Sequence, residues 1–356
     1  MIKKTILTGG LALLALAATA QTEVSTYRPG VTLDGVTYFM PRTAFRIVAT
    51  AEKSVYTPGD FNKYADRFLR LKSVESEGHT HWTIKNITME PYGVPDPQKA
   101  YSIKLAKRTV APNVTLSEDG LLLAINTEGN EETLPPVPAR VPATGHPNPR
   151  DYMSQEILTA GSTIKMAELT AQEIYDIRES RNALIRGEAD NTPKDGAQLK
   201  LMLDQLQLQE TALTQLFKGT VDQSTEVFTL TFVPDEETDK TVLFRFSQKL
   251  GLVDSDDLAG EPVYISVKDL HTAPAPVEDE KTQKKKQKME TGVYYNVPSR
   301  ASIRIFDHKQ TYCKKDINIG QFGNTEILSN VLFDKNAATE VTFFQNNGGI
   351  EQIKMK

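Results

Sequence analysis

The sequence predicts an α+β protein of mainly antiparallel, sandwich-like β domains, with an antiparallel helical hairpin between β segments. Two stretches, before residue 126 and after residue 220, alternate apolar and polar residues as half-buried strands require. Between them, two consecutive segments repeat their apolar residues with the helical period. Strands and helices do not alternate regularly along the chain, which disfavours a doubly wound parallel sheet.

The first twenty residues predict a secretory signal peptide, residues 1–20. Lys3 and Lys4 precede an apolar run, and a small-x-small site ends at Ala20, so we expect cleavage after Ala20. The apolar run is too short for a transmembrane helix, which needs about 20 apolar residues. No cysteine follows the cleavage site, so lipid attachment is not expected there. The mature chain should therefore lie in the periplasm or on the outer envelope.

Residues 21–126 form the predicted N-terminal β-rich domain with one short helix. Asp34-Gly35 is a hairpin turn signal, since both residues tolerate positive φ. We expect Asp60 to cap the short helix, and we expect the helix to cover one face of the β layer. Its apolar stripe consists of Phe61, Tyr64, Ala65, Phe68 and Leu69.

A proline-rich linker, residues 127–150, separates this domain from the predicted helical hairpin, residues 151–220. The linker has six prolines between Thr127 and Asp151 and no apolar period. Thr170 and Glu173 match a capping box at the start of the first helix. The caps that follow are Gly187 at the end of the first helix, Asp195 at the start of the second and Gly219 at its end.

Two leucines of the second helix, Leu201 and Leu208, lie off its main apolar stripe. They would leave hydrophobic surface for a second contact, with a protein partner or with another copy of the chain. Ordinary packing onto the β domains is the alternative. Leu201 and Leu208 are the candidate partner-binding residues.

The second half of the chain is again β-rich. Residues 221–270 contain three alternating segments, and residues 291–356 contain several short strands that suggest a compact sandwich. Between them, residues 271–290 are an acidic and then lysine-rich block. We interpret this block as a solvated linker, with a partner-docking tail as the alternative.

Four residues at every second position form the candidate metal site: Glu75, Glu77, His79 and His81. An extended backbone would point all four side chains to one side, where they could bind a transition metal. Gly78 interrupts this run, and no further ligand follows at a familiar spacing. An exposed polar loop is therefore the competing interpretation.

Other reactive patterns have simple structural explanations. Ser162 and Lys165 match the S-x-x-K spacing of serine acyl enzymes, but the companion K-T-G motif is absent. The single cysteine, Cys313, is expected to be a small buried apolar group. The acidic group of Asp254, Asp256 and Asp257 lacks the glycine and the terminal glutamate of an EF-hand loop.

The sequence assigns no catalytic residue and no cofactor. It contains no G-x-S-x-G, H-E-x-x-H or C-x-x-C motif and no phosphate-binding glycine loop, and its net charge of −5 gives no nucleic-acid footprint. The leading hypothesis is therefore a non-enzymatic partner-binding protein. One alternative is a glycan-binding module, and another is a hydrolase with scattered carboxylates. The aromatic residues that could stack on sugars are Tyr294, Tyr295, Phe343, Phe344 and Trp82.

Several segments resemble a family of exported Bacteroidota proteins catalogued as domain of unknown function 4831. The similar segments begin at Tyr38, Tyr56, Gly93, Gly187, Asp256 and Gln321 and cover nearly all of the mature chain. The resemblance implies export and a shared architecture. It brings no established activity and no catalytic residues.

Overall fold

The structure is a computed structural model of the chain. It describes residues 31–32, 35–104, 114–191, 193–275, 292–329 and 339–355. The predicted signal peptide, its cleavage site after Ala20 and most of the predicted charged linker lie outside the described residues.

The described residues form strands and helices that confirm the α+β class. The helices are α1 (Ala65–Leu69), α2 (Gln155–Leu158), α3 (Thr163–Arg186) and α4 (Gly196–Lys218), with 3-10 turns at Asn62–Tyr64 and Pro149–Tyr152. The strands are β1 (Val31–Thr32), β2 (Gly35–Thr57), β3 (His79–Lys104), β4 (Val114–Leu116), β5 (Leu122–Ile125), β6 (Thr220–Phe232), β7 (Thr238–Ser247), β8 (Gly251–Val253), β9 (Glu261–Asp269), β10 (Gly292–Phe306), β11 (Thr311–Ser329), β12 (Thr339–Phe343) and β13 (Ile350–Met355).

Three sheets, each with antiparallel pairing between neighbouring strands, contain these strands. In the first, β2 pairs with β1, β3 and β6; the second has the order β11-β10-β9-β7-β8, and the third β13-β12-β5-β4. Thr32 lies opposite Gly35, which confirms an antiparallel hairpin at the start of the β region, but Gly35 belongs to β2 and not to the turn as predicted. Strands from the three β-rich segments of the sequence share sheets, while the segment boundaries themselves stay a prediction.

Four long strands, β2, β3, β10 and β11, contribute to both of two hydrophobic cores. In the first core, Phe45 of β2 packs with Ile303 of β10, between the first and second sheets. In the second core, Tyr38 of β2 packs with Val293 of β10 and Phe343 of β12. The long strands therefore connect two sandwich-like layers into one body.

Polar groups and a glycine fill the region between the two cores, where β2 and β3 contact β11. The amide of Thr43 donates to Oε1 of Gln321 at 2.8 Å, and Nε2 of Gln321 donates to the Thr43 carbonyl at 3.0 Å. A Cβ on Gly93 would lie 2.1 Å from the carbonyl oxygen of Gln345, so no larger residue fits there. Because buried polar groups need hydrogen-bond partners, these contacts fix one arrangement of β2, β3 and β11.

The helices have a third core of their own. Phe61 and Leu69 pack with Ile174 of α3 and Phe217 of α4. The apolar stripe that we expected to cover the β layer therefore contacts helices, and that prediction was wrong. The prediction that Asp60 caps this helix was wrong as well, because the 3-10 turn before α1 has Phe61 at its N-cap position and no side-chain cap. An amphipathic stripe identifies a buried face but not the partner that covers it.

Helix α3 begins earlier than the capping box predicted. Ser162 is its N-cap, and its Oγ accepts a hydrogen bond from the Lys165 amide at 3.3 Å. Thr170 lies buried within the helix and donates its hydroxyl to the Met166 carbonyl at 2.7 Å. The Thr170–Glu173 prediction was wrong because the same residue types also occur inside helices, where a threonine hydroxyl bonds back to the preceding turn.

Candidate interaction surface

The other three ends of the helical hairpin match the sequence. Gly187 ends α3 with φ +71°, Asp195 caps α4 by accepting from the Ala197 amide at 3.1 Å, and Gly219 ends α4. Positive φ at the end of a helix favours glycine because it has no Cβ. These residues set the length of both helices.

One buried carboxylate fixes the register between the two helices. Glu210 of α4 is 8% exposed and binds two arginines of α3. Nε of Arg178 donates to Oε1 at 2.6 Å, and Nη1 of Arg181 donates to Oε2 at 2.5 Å. Charge-assisted bonds of this kind are strong, and a shift by one turn would leave the carboxylate without its partners.

The two halves of the hairpin differ in packing. We call residues 163–177 and 210–218 the base and residues 180–208 the tip. The buried hairpin residues that join the helical core all belong to the base. The exposed large apolar residues of the tip are Ile185, Leu201, Met202 and Leu208. The hairpin is therefore anchored at one end and carries apolar surface at the other.

A cleft of about 740 Å³ opens between α3 and α4 at the tip. The connection between the helices adds two carboxylates to its lining, from Glu188 and Asp190. Its apolar wall consists of Ala183, Leu184, Leu201, Met202 and Leu206. The cleft has the size and apolar character of sites that bind ligands or partner side chains.

The two candidate partner-binding residues are exposed. Leu201 is 61% exposed and lines the cleft, and Leu208 is 37% exposed two helical turns further along α4. Sequence reasoning did not identify the opposite wall of the cleft on α3, formed by Ser180 and Ala183. Helical spacing places these two residues one turn apart on one flank, but only the register between the helices shows that they face Leu201.

The candidate metal residues do not converge. Nδ1 of His79 lies 3.0 Å from Oε2 of Glu75, and both side chains are exposed. His81 lines a separate small cavity beside Trp82. Among the described residues, no three His, Cys, Asp or Glu side chains lie close enough together to hold a metal ion.

The remaining reactive candidates have structural surroundings. The Ser162 hydroxyl serves as the N-cap of α3, and Nζ of Lys165 pairs with Oε2 of Glu168 at 3.1 Å. Burial raises the pKa of the half-buried Cys313 thiol, which lowers its thiolate fraction. The Asp254, Asp256 and Asp257 segment is an exposed turn in which Asp257 caps the Ala259 amide at 2.8 Å.

The aromatic residues considered for sugar stacking do not share one surface. Tyr294 stacks on Tyr101 of β3 with ring centroids 4.1 Å apart, and Phe343 is buried in the second core. Trp82 lies near the other end of β3, up to about 60 Å from Tyr101 at roughly 3.3 Å per residue. A single stacking platform therefore does not include Trp82 and Tyr294 together.

A smaller cavity of about 250 Å³, lined in part by Trp82, Glu261 and Asp307, holds two of the scattered carboxylates. Burial would raise the pKa of Asp307. Hydrogen bonds from the Gln310 amide, the Tyr312 hydroxyl and the Lys309 amide outweigh burial and lower it. Oε2 of Glu261 lies 3.3 Å from Nζ of Lys309. A lowered pKa does not suit a general acid, and Asp307 accepts hydrogen bonds from Lys309, Gln310 and Tyr312 in this cavity.

Together, fold and site define the class of protein: an α+β protein with two linked β cores and a helical hairpin that carries an open apolar cleft. The chain belongs to the family described as Domain of unknown function (DUF4831), whose model matches residues 34–351. This match confirms the predicted family membership. Neither the curated proteins nor the solved structures contain a match. No helix within the described ranges is long and apolar enough to cross a membrane.

Proposed function

We propose that this chain is an exported, non-enzymatic protein of the cell envelope that binds another protein through the tip of its helical hairpin. The observation that carries the proposal is the apolar cleft at the tip, beside the exposed Leu201. Exposed apolar patches of this kind are typical of interaction sites in soluble proteins. The base supplies the rigid support that such a site needs, because its residues are buried in the helical core.

Cross-linking in cells tests this function. A tagged chain in its native host should give a cross-linked species larger than the monomer, and Leu201→Asp should abolish that species. Ile185→Asp is the matched control, since Ile185 is 62% exposed but does not line the cleft. A pattern that is unchanged by Leu201→Asp would refute binding through the cleft.

Export is tested separately. N-terminal sequencing of the tagged protein from the envelope fraction should begin at Gln21. A sequence that begins at Met1 on cytosolic protein would contradict the proposed location.

A further inference from the structure

We infer that the tip cleft receives an amphipathic helix whose apolar stripe is flanked by lysine or arginine. The partner would then lie along α3 and α4 as a third helix. This inference rests on the proposed function and specifies the chemistry of the partner.

The walls of the cleft fit a helix. Ser180 and Ala183 on the α3 side are small, so a partner backbone can approach closely. On the α4 side, Leu201 and Gln205 line the cleft at i and i+4, and Leu208 continues the same flank at i+7 beyond the end of the cleft. A groove with these spacings matches the recognition mode in which an amphipathic helix inserts its anchor residues.

The charge around the cleft selects a basic partner. Glu188 and Asp190 are the charged lining residues, and the lining contains no lysine or arginine, although Nε of Arg186 beside the cleft lies 3.3 Å from Oε2 of Glu188. A rotation of about 100° per residue also places Asp176 and Glu179 on the flank of α3 that carries Ser180 and Ala183. Carboxylates therefore outnumber Arg186 at this rim, and an excess of one sign of charge attracts the opposite sign and repels its own. This arrangement disfavours an acidic helix or an anionic lipid surface.

The same charges and the size of the cleft disfavour a second copy of the chain. Two tips packed on each other would bring the two Asp190 carboxylates together, whereas each Glu188 keeps Arg186 as its partner. The cleft extends along α4 only from Leu201 to Leu206, about 8 Å at 1.5 Å per residue. A stable interface buries about 800 Å² on each partner, which is more than this cleft offers. A short helix with two or three anchor residues suits it better.

Two designed peptides test the inference. The first is a fluorescent 16-residue helix of alanine and lysine with leucines at i, i+4 and i+7, and the second has glutamate in place of every lysine. Titration with the purified mature chain should give a dissociation constant of roughly 10 µM to 1 mM for the lysine peptide, because the contact is small. The glutamate peptide should bind at least about tenfold more weakly, and added salt should narrow the difference.

Variants of the chain locate the site. Leu201→Asp should weaken binding of the lysine peptide at least about tenfold, since it places a carboxylate in the apolar wall of the cleft. Ile185→Asp should leave affinity unchanged. The double variant Glu188→Gln, Asp190→Asn should reduce the preference for lysine over glutamate to under about threefold. Circular dichroism of each variant, matched to the parent chain, shows that the hairpin is folded.

Three outcomes would overturn the inference: equal affinity for both peptides, binding that Leu201→Asp does not weaken, or self-association in sedimentation velocity that Leu201→Asp abolishes. The last would show that a second copy covers the cleft. If neither peptide binds while Leu201→Asp still removes the cross-linked species in cells, only the inferred chemistry of the partner is wrong. If Leu201→Asp changes neither readout, the proposed function fails as well.

Discussion

The base and the tip of the hairpin show how one helix divides its apolar residues between folding and surface. In α4, Leu213 and Phe217 are fully buried in the helical core, whereas Leu201 and Met202 are exposed. The tip part of this helix contains five leucines and the base part only two, so leucine content does not decide which part is buried. The difference arises because tertiary contacts, and not helix propensity, provide most of the stability of a helix in a protein. The tip therefore retains apolar surface that folding does not use.

The largest expected contrast compares Phe217→Ala with Leu201→Ala. Removing the buried ring should lower the free energy of unfolding by about 3–5 kcal/mol, because it removes apolar contacts and leaves a cavity. Leu201→Ala at the exposed tip should change it by less than about 0.5 kcal/mol. Urea denaturation followed by circular dichroism measures both. Equal losses would show that the tip is packed as tightly as the base.

The next contrast concerns the register between the helices. Glu210→Gln should cost about 1.5–3 kcal/mol, because Arg178 and Arg181 lose the carboxylate that binds them. Glu179→Gln, an exposed residue of α3, is the control and should have little effect. The same denaturation experiment measures both variants. No loss in Glu210→Gln would mean that side-chain packing alone sets the register.

Glycine substitutions sharpen the comparison at the backbone. A Cβ on Gly59 would lie 2.3 Å from the carbonyl oxygen of Leu216 at the base, so Gly59→Ala should destabilise by about 1–3 kcal/mol. Gly196 at the tip has no atom within 4 Å of such a Cβ, so Gly196→Ala should stabilise by about 0.4–1 kcal/mol. Thermal melts of the two variants should shift in opposite directions. Shifts in the same direction would contradict the close packing at Gly59.

The smallest effect concerns the start of α3. Ser162→Ala should cost about 0.5–1 kcal/mol, because the helix loses its N-cap acceptor. Lys165→Met should change stability much less, since its side chain is exposed and pairs only with Glu168. A fluorophosphonate probe should not label the chain. Labelling that disappears in Ser162→Ala would instead support a reactive serine.

Local patterns predicted the elements of the hairpin but not its partners. Gly187, Asp195 and Gly219 each act within one turn of the helix that they cap, so the sequence is sufficient to identify them. The exposure of Leu201 followed from its position off the main apolar stripe. The cleft itself depends on the pairing of Glu210 with residues about 30 positions earlier, and a local pattern does not contain that pairing.

The lengths of the strands were also beyond local patterns. Prolines such as Pro41 and Pro91 would ordinarily indicate strand ends, because proline cannot donate to a ladder of hydrogen bonds. In the structure, both lie within β2 and β3, and a register shift between Phe39 and Pro41 accommodates the first. The hydrogen bond between Thr43 and Gln321, 278 residues apart, helps to fix how β2 packs against β11. No short segment of the sequence contains both residues, so local patterns do not predict this bond.

The four strands that serve both β cores have a consequence for how the molecule comes apart. Each sandwich-like layer shares β2, β3, β10 and β11 with the other. A truncated chain that keeps only one layer would therefore expose apolar residues of both cores. Heating should therefore melt the two layers in a single transition. A protease that cuts within β2 or β10 would release no stable fragment from either side.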